Sequence, residues 1–124
     1  MFASTAKETT TFYTGALVLD DGTEAYCGAL GCRVHCDGGA TVSVSFKGWE
    51  VVCTMNSPAE VLGTRILRSP LRTMMGDSAR AKAHNEGVRK AEIELAARVE
   101  RAAVAKVIEV GLAKWPDVYG VYAV

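Results

Sequence analysis

The sequence predicts an α+β protein in which an N-terminal antiparallel β-meander of about four strands precedes a short helix and a long C-terminal helix. Two observations support this prediction. Polar and apolar residues alternate without a miss over residues 41–47, which is the period of a strand with one buried face. Beyond Ser57 the apolar residues recur every three or four positions, which is the period of an amphipathic helix.

The length of the chain fits one domain. With 124 residues, 49% of them hydrophobic, the protein can bury a core without disulfides or metal. We therefore expect residues 1–124 to form a single α+β domain. Within it we expect a β-meander over residues 1–56, a helical part over residues 57–115 and an apolar tail over residues 116–124.

Strand patterns in the first part are separated by turn sequences. The patterned segments are residues 11–19, 24–36, 41–47 and 49–54. Asp20-Asp21-Gly22 and Asp37-Gly38-Gly39 are expected to be turns, because Asp and Gly tolerate the backbone angles that tight turns require. Gly48 fits either a turn between two strands or a bulge within one bent strand.

The short helix is predicted from a start signal. Ser57-Pro58-Ala59-Glu60 has the form of a capping box with proline at the first helical position. The helix that it starts should end near Arg68, because the residue before Pro70 is biased away from helical angles.

The long helix is predicted to begin at a cap formed by Asp77 or Ser78 and to end near Lys114, before Trp115-Pro116. It carries two apolar stripes, although a helix that packs on one sheet needs only one. We therefore expect a homodimer or higher homo-oligomer. The expected interface residues are Val99, Val104, Ile108, Leu112 and Trp115.

The alternative is that the first helix and the tail of the same chain cover the second stripe. The tail itself shows a weak alternation of apolar residues, which would suit an added strand.

The charges are unevenly distributed although the formal net charge is zero. Residues 1–60 contain three Lys and Arg against seven Asp and Glu, whereas residues 65–90 contain seven against two. A local excess of positive charge attracts an anionic partner whatever the total. The candidate binding residues are Arg65, Arg68, Arg72, Arg80, Lys82 and Arg89.

These cations are expected to meet where the two helices join. Arg65, Arg68 and Arg72 would share one helix face, and the start of the long helix would add its own positive potential. The guanidinium group of arginine can donate two parallel hydrogen bonds to the oxygens of a phosphate or carboxylate group. The alternative is a solvated basic surface paired with the acidic strand half, in which each ion pair contributes little.

The cysteines raise the question of a metal. Cys27, Cys32, Cys36 and Cys53 could supply the four ligands of tetrahedral zinc. The spacing matches no standard zinc motif, and free cysteines usually pack as small buried apolar side chains. We therefore expect no cofactor and keep a zinc-stabilised interaction module as an alternative.

No catalytic signature is present. The sequence has no phosphate-binding loop, no dinucleotide-binding glycine pattern and no zinc-protease helix motif. His84 is the one candidate base, and Asp77 would lie about 10 Å from it on the same helix. We expect a protein that is not an enzyme.

Nucleic acid is a further alternative partner. Some dimeric single-strand binders combine a four-stranded sheet with a long helix. Here the strand half is acidic and the sequence pI is about 6.7, which is far from the basic value typical of such proteins.

We therefore expect a small binding or regulatory protein that engages an anionic ligand, either an acidic protein surface or a phosphate-bearing small molecule. Accessory inhibitors, including virus-encoded inhibitors of a host pathway, have this size. The polar first residues and the lack of a long uncharged apolar run predict neither a signal peptide nor membrane insertion. The expected location is the cytoplasm, or the host cytoplasm for a viral protein.

Overall fold

The computed structural model of the protein describes residues 9–13 and 16–123, with side chains described over residues 16–25 and 31–123. The strands are β1 (Thr9–Tyr13), β2 (Ala16–Val18), β3 (Glu24–His35), β4 (Ala40–Phe46), β5 (Trp49–Ser57) and β6 (Glu60–Arg68). The helices are α1 (Ala79–Lys114), α2 (Pro116–Tyr119) and a 3₁₀ turn (Gly120–Tyr122). The predicted α+β class is confirmed.

All described strands belong to one antiparallel sheet with the order β1-β3-β4-β5-β6, and β2 also pairs with β3. The single strand expected over residues 11–19 is therefore replaced by two short strands, β1 and β2, which both pair with β3. The predicted meander is present, because β1 and β2 pair with β3, β3 pairs with β4 and β4 pairs with β5. The strand β6, which pairs with β5, extends it beyond the prediction. Between Cys27 and Cys32 the β3 register shifts, so that several residues of β3 oppose Ser43 alone.

The chain turns sharply between β4 and β5. Phe46 pairs with Trp49, and the two residues between them, Lys47 and Gly48, have φ angles of 47° and 88°. Positive φ at both central positions is characteristic of a type I′ hairpin turn, whose twist matches the right-handed twist of the two strands that it joins. Residues 41–54 are therefore two strands joined by a turn, which decides the question that Gly48 left open.

The predicted short helix over residues 57–68 is wrong, because Ser57 ends β5 and residues 60–68 form the strand β6. Ser57 pairs with Glu60 across a two-residue hairpin, and the Ser57 hydroxyl accepts a hydrogen bond from the Ala59 N–H at 3.2 Å. A proline in the second position suits a β-turn as well as a helix start. Between the prolines the β-branched Val61, Thr64 and Ile66 favour a strand, and pairing with β5 satisfies the backbone. The helical part therefore begins at Ala79.

The long helix is confirmed at both ends. The Ser78 hydroxyl accepts a hydrogen bond from the Ala81 N–H at 3.1 Å, which satisfies a donor in the first turn. At the other end Pro116 follows the cap residue Trp115. Within the described residues, no helix combines the length and the apolar character needed to cross a membrane.

The tail folds back on the long helix, so the strand suggested by its weak alternation is wrong. Trp115 and Pro116 start α2 at once, and Tyr119 becomes fully buried against Gly111. The Tyr119 hydroxyl donates to the backbone oxygen of His35 at 2.8 Å. Burial raises the pKa of Tyr119 to about 12, so this hydroxyl stays protonated and keeps donating.

The core lies between one face of the sheet and α1. On the sheet side it contains alternate residues of the central strands, which point to the same face. These are Cys32, Val34, Val42, Val44, Val51, Cys53 and Met55. On the helix side Val99, Ala103 and Val107 recur every fourth residue and are fully buried.

Candidate functional site: a basic end of the long helix

The helix α1 is longer than the sheet on which it packs. Its 36 residues span about 54 Å at about 1.5 Å per residue, whereas the 9 residues of β6 span about 30 Å. The buried side chains from Val99 onwards pack on the sheet and the tail. Over residues 79–90 only Ala81 and Val88 are buried. The first part of the helix therefore extends beyond the sheet.

Residues 69–78, which we call the strap, run along this first part of α1. The Asn85 side chain accepts from the Met74 N–H at 2.7 Å and donates to the Met74 oxygen at 2.9 Å. Nε2 of His84 donates to the backbone oxygen of Arg72 at 2.8 Å. These contacts hold an irregular segment against two consecutive helix residues.

The strap exposes apolar side chains. Leu71 and Met74 are 37% and 38% exposed, and Met75 is 97% exposed. Methionine is unbranched and polarisable, so it adapts to different partner surfaces and is common at binding sites. An almost fully exposed methionine in a fixed segment is typical of a contact surface rather than of a core.

Four of the predicted cations lie on the strap and on the part of α1 that the strap contacts. Arg72 lies on the strap, and Arg80, Lys82 and Arg89 lie on the first part of α1, where all four are exposed. Among the residues that the structure describes, none of the four forms an ion pair. We call the strap together with residues 79–90 the basic end.

The cations of the basic end form a surface rather than a pocket. At about 100° per residue, Arg80 and Lys82 point to opposite sides of the helix, whereas Lys82 and Arg89 share one side. Along the axis Arg80 and Arg89 lie about 14 Å apart. One phosphate ion cannot contact these positions together, but an extended partner can.

The cations on the part of α1 that packs on the sheet are arranged differently. Arg98 pairs with Asp20 at 3.5 Å and with Asp21 at 3.1 Å, and Arg101 pairs with Asp20 at 2.6 Å. The pKa of Asp21 is lowered, first by the backbone N–H of Thr23 and also by the Arg98 charge. These charges are used within the chain, and in the basic end Lys90 is paired with Glu86 at 4.0 Å. Arg72, Arg80, Lys82 and Arg89 have no such partner among the described residues.

The other two predicted cations lie on a strand rather than on the basic end. Arg65 and Arg68 lie on β6, so the expected helix face shared with Arg72 does not exist. Arg68 pairs with Glu50 of the neighbouring strand at 3.4 Å. Arg65 is exposed and lines a shallow crevice of about 270 Å³ that also contains Arg89. The junction of two helices is therefore replaced by a strand edge and a strap.

The described cysteines do not form a metal site. Cys32 and Cys53 both pair with Val42, one from each side, so a whole strand separates them. Burial raises the pKa of the Cys53 thiol, which keeps it protonated. Among the side chains that the structure describes, no three His, Cys, Asp or Glu residues are placed to hold a metal ion. Cys27 lies outside the described side chains.

The groups considered for catalysis have structural partners. The Ser78 hydroxyl caps α1, and Nε2 of His84 is bonded to the strap. His84 therefore holds the strap in place.

The predicted dimer residues on α1 are divided by their burial. Val99 is fully buried in the core of its own chain, so its assignment to a dimer interface is wrong. Val104, Leu112 and Trp115 are partly buried against the same core, and Ile108 is half-buried. The second stripe is thus covered in part by the chain itself.

Comparison of the chain with protein-family models, with curated proteins and with solved structures gives no match. Sequence reasoning identified four cations of the basic end but missed the exposed strap residues Leu71, Met74 and Met75. The available signal was that these three apolar residues lie between Pro70 and Gly76, in a segment too irregular to bury them in a helix or strand.

Proposed function

We propose that the protein is a non-enzymatic binding or regulatory protein that engages an acidic protein surface through its basic end. The observation that carries this proposal is the contrast between paired and unpaired cations. Arg98, Arg101 and Lys106 have carboxylate partners in the chain. Arg72, Arg80, Lys82 and Arg89 of the basic end have none among the described residues, so these positive charges are available to another molecule.

The exposed apolar side chains favour a protein as the partner. Leu71, Met74 and Met75 lie beside Arg72 on the strap. A partner that presents carboxylates around a few apolar residues would satisfy the charges and also bury apolar surface. A free phosphate ion would leave this surface exposed.

Nucleic acid fits the basic end less well. Residues 69–90 contain no Tyr, Phe or Trp on which a base could stack. The acidic charges of the strand half would also repel a long phosphate backbone.

The proposal is tested with a fluorescein-labelled peptide of alternating glutamate and leucine, whose binding is measured by fluorescence anisotropy. The variant Arg72→Glu with Lys82→Glu reverses two charges of the basic end. We expect at least about tenfold weaker binding than for the unmodified protein. The matched control, Lys47→Glu with Lys114→Glu, changes the net charge equally at exposed positions outside the basic end and should bind as the unmodified protein does.

Equal weakening in both double variants would contradict the proposal, because net charge alone would then explain binding. A labelled single-stranded oligonucleotide is measured in parallel. Tighter binding of the oligonucleotide than of the peptide, lost in the same variant, would assign the basic end to nucleic acid instead.

A further inference from the structure

The strand β6 is an edge of the sheet. In the described part of the chain its backbone pairs with β5 alone, so one row of N–H and C=O groups is free. Leu62 and Leu67 are 59% and 52% exposed on this strand. A free edge with exposed apolar residues is a template for pairing with another strand.

We infer that β6 pairs with the β6 strand of a second copy of this chain, in an antiparallel arrangement centred on Thr64. The inference goes beyond the proposed function, because it concerns a different surface. The two sheets would become one continuous sheet, related by a twofold axis.

The charges of β6 are complementary to themselves in this register. Glu60 lies opposite Arg68 of the second copy, and this pair occurs twice. Arg65 lies opposite Gly63, which offers no charge and no steric hindrance. Opposite charges across a strand pair stabilise it, whereas like charges directly opposite destabilise it.

Neighbouring registers lack this complementarity. A shift by two residues in one direction places Arg65 opposite Arg65 of the second copy. A shift in the other direction places Glu60 opposite Ile66. Odd shifts are excluded because they would place opposing side chains on different faces of the sheet.

The irregularities of β6 allow this pairing at its centre. The pairing with β5 shifts around Leu62 and again around Leu67. The segment between these positions, residues 63–66, is regular and includes the proposed centre. The regular ladder is short, so a second contact is needed for a stable dimer.

The flank of α1 supplies the second contact. The Thr64 hydroxyl donates to Glu100 of α1 at 2.9 Å, so the Glu100 side of the helix faces β6. Ala97 and Val104 share that side at spacings of three and four from Glu100, and Ile93 shares it at a spacing of seven, which is about two helix turns. Ile93 is 59% exposed. A twofold axis through the joined sheet places both helices on the same face, where these flanks meet.

The dimer leaves the strap and the start of α1 free. Lys82 lies about 16 Å along the helix axis from Ile93, which is the nearest residue of the proposed contact, whereas Arg89 lines the crevice that also contains Arg65 and Ile93. Each dimer would present two basic ends, which strengthens binding to a partner with more than one acidic site.

The test is the mass in solution of the protein and of three charge variants, measured by light scattering after gel filtration. We expect the unmodified chain at twice its 13.2 kDa mass. Glu60→Arg alone and Arg68→Glu alone should each shift the protein to monomer, because each sets like charges opposite one another. The double variant should return to dimer. A monomeric unmodified chain, or a dimer that persists in both single variants, would overturn the inference.

The centre of the register is tested by cross-linking. Thr64 also lies opposite Cys53 of its own chain, so both cross-linking variants carry Cys53→Ser. With Thr64→Cys the two introduced cysteines then lie directly opposite one another, at a distance that a disulfide spans. We expect a covalent dimer under mild oxidation. Leu67→Cys is the matched control on the same strand, because its copies lie far apart in this register. Equal cross-linking of both variants would contradict the register, and each variant is first checked for an unchanged melting temperature.

Discussion

At the scale of single residues, the contact between Gly111 and Tyr119 holds the tail on the long helix. A Cβ atom at position 111 would lie 2.5 Å from atoms of the Tyr119 ring. The ring is fully buried and its hydroxyl is bonded to the backbone of β3, so it cannot move aside without losing both interactions. Glycine at this position therefore allows the close approach of helix and tail.

We predict that Gly111→Ala destabilises the protein by about 1 kcal/mol. Overpacking of a filled core costs about 1–3 kcal/mol, and it should exceed the gain of about 1 kcal/mol in helix propensity. The free energy of unfolding is measured by urea denaturation.

Gly87→Ala is the control for this prediction. Gly87 lies in the same helix, and a Cβ atom there would meet nothing within 4 Å. This variant should be more stable than the unmodified protein by up to about 1 kcal/mol. Equal stability of the two alanine variants would show that the Tyr119 ring is not fixed where the structure places it.

The sequence predicted one helix cap and two turns correctly, because these features depend on residues that are neighbours in the chain. The cap at Ser78 and the two Asp-Gly turns depend on neighbours in sequence, and the structure confirms them. The contact of Gly111 with Tyr119 depends on the return of the tail, which no neighbouring residue signals. The burial of Val99 in its own core was missed for the same reason.

At the scale of elements, the strap depends on a few side-chain contacts from α1. Asn85 makes two hydrogen bonds to Met74, and His84 makes one to the backbone of Arg72. The strap has no regular backbone pairing of its own, so these contacts determine how firmly it is held.

We predict that Asn85→Ala loosens the strap. Both hydrogen bonds to Met74 are lost, so the segment should open more often while α1 and the sheet remain folded. Limited trypsin digestion, followed by mass spectrometry, should show several-fold faster cleavage after Arg72. Glu86→Ala is the control, because Glu86 pairs only with Lys90 among the described residues, at 4.0 Å. An unchanged cleavage rate in the Asn85 variant would contradict this role of Asn85.

The strand β6 shows why one element was predicted in the wrong class. Ser57-Pro58-Ala59-Glu60 has the residues of a helix start, but the same residues form a two-residue hairpin. Only nine residues follow before the next turn signal, and short apolar segments are ambiguous between the two periods. The segment forms a strand because it pairs with the free edge of β5. That edge exists only in the folded sheet, so the local sequence does not reveal it.

At the scale of the whole molecule, the charges divide the protein into two parts. Over the sheet, Arg98 and Arg101 are paired with the Asp20-Asp21 turn, which joins α1 to the start of β3. At the basic end the cations face solvent. The sequence revealed the excess of positive charge over residues 65–90, but only the fold shows which cations are left without partners.

Two surfaces follow from this division, one at the basic end and one at the β6 edge. They adjoin at Arg89, which lines the crevice that also contains Arg65 and Ile93. The residues changed in the two tests are different, so a variant in one surface should leave the other intact. Loss of dimerisation through Glu60→Arg therefore leaves the proposed acidic partner site in place, and the failure of one proposal is distinguishable from that of the other.

The central claim is that the basic end is the partner-binding surface, and mapping by NMR tests it most directly. Unlabelled peptide of alternating glutamate and leucine is added to the ¹⁵N-labelled protein, and the shift of each backbone amide signal is followed. We predict that the largest shifts fall on the strap and on the first three turns of α1, including Arg72, Met75 and Lys82. Shifts concentrated on the sheet, or spread evenly over all exposed cations, would contradict the claim.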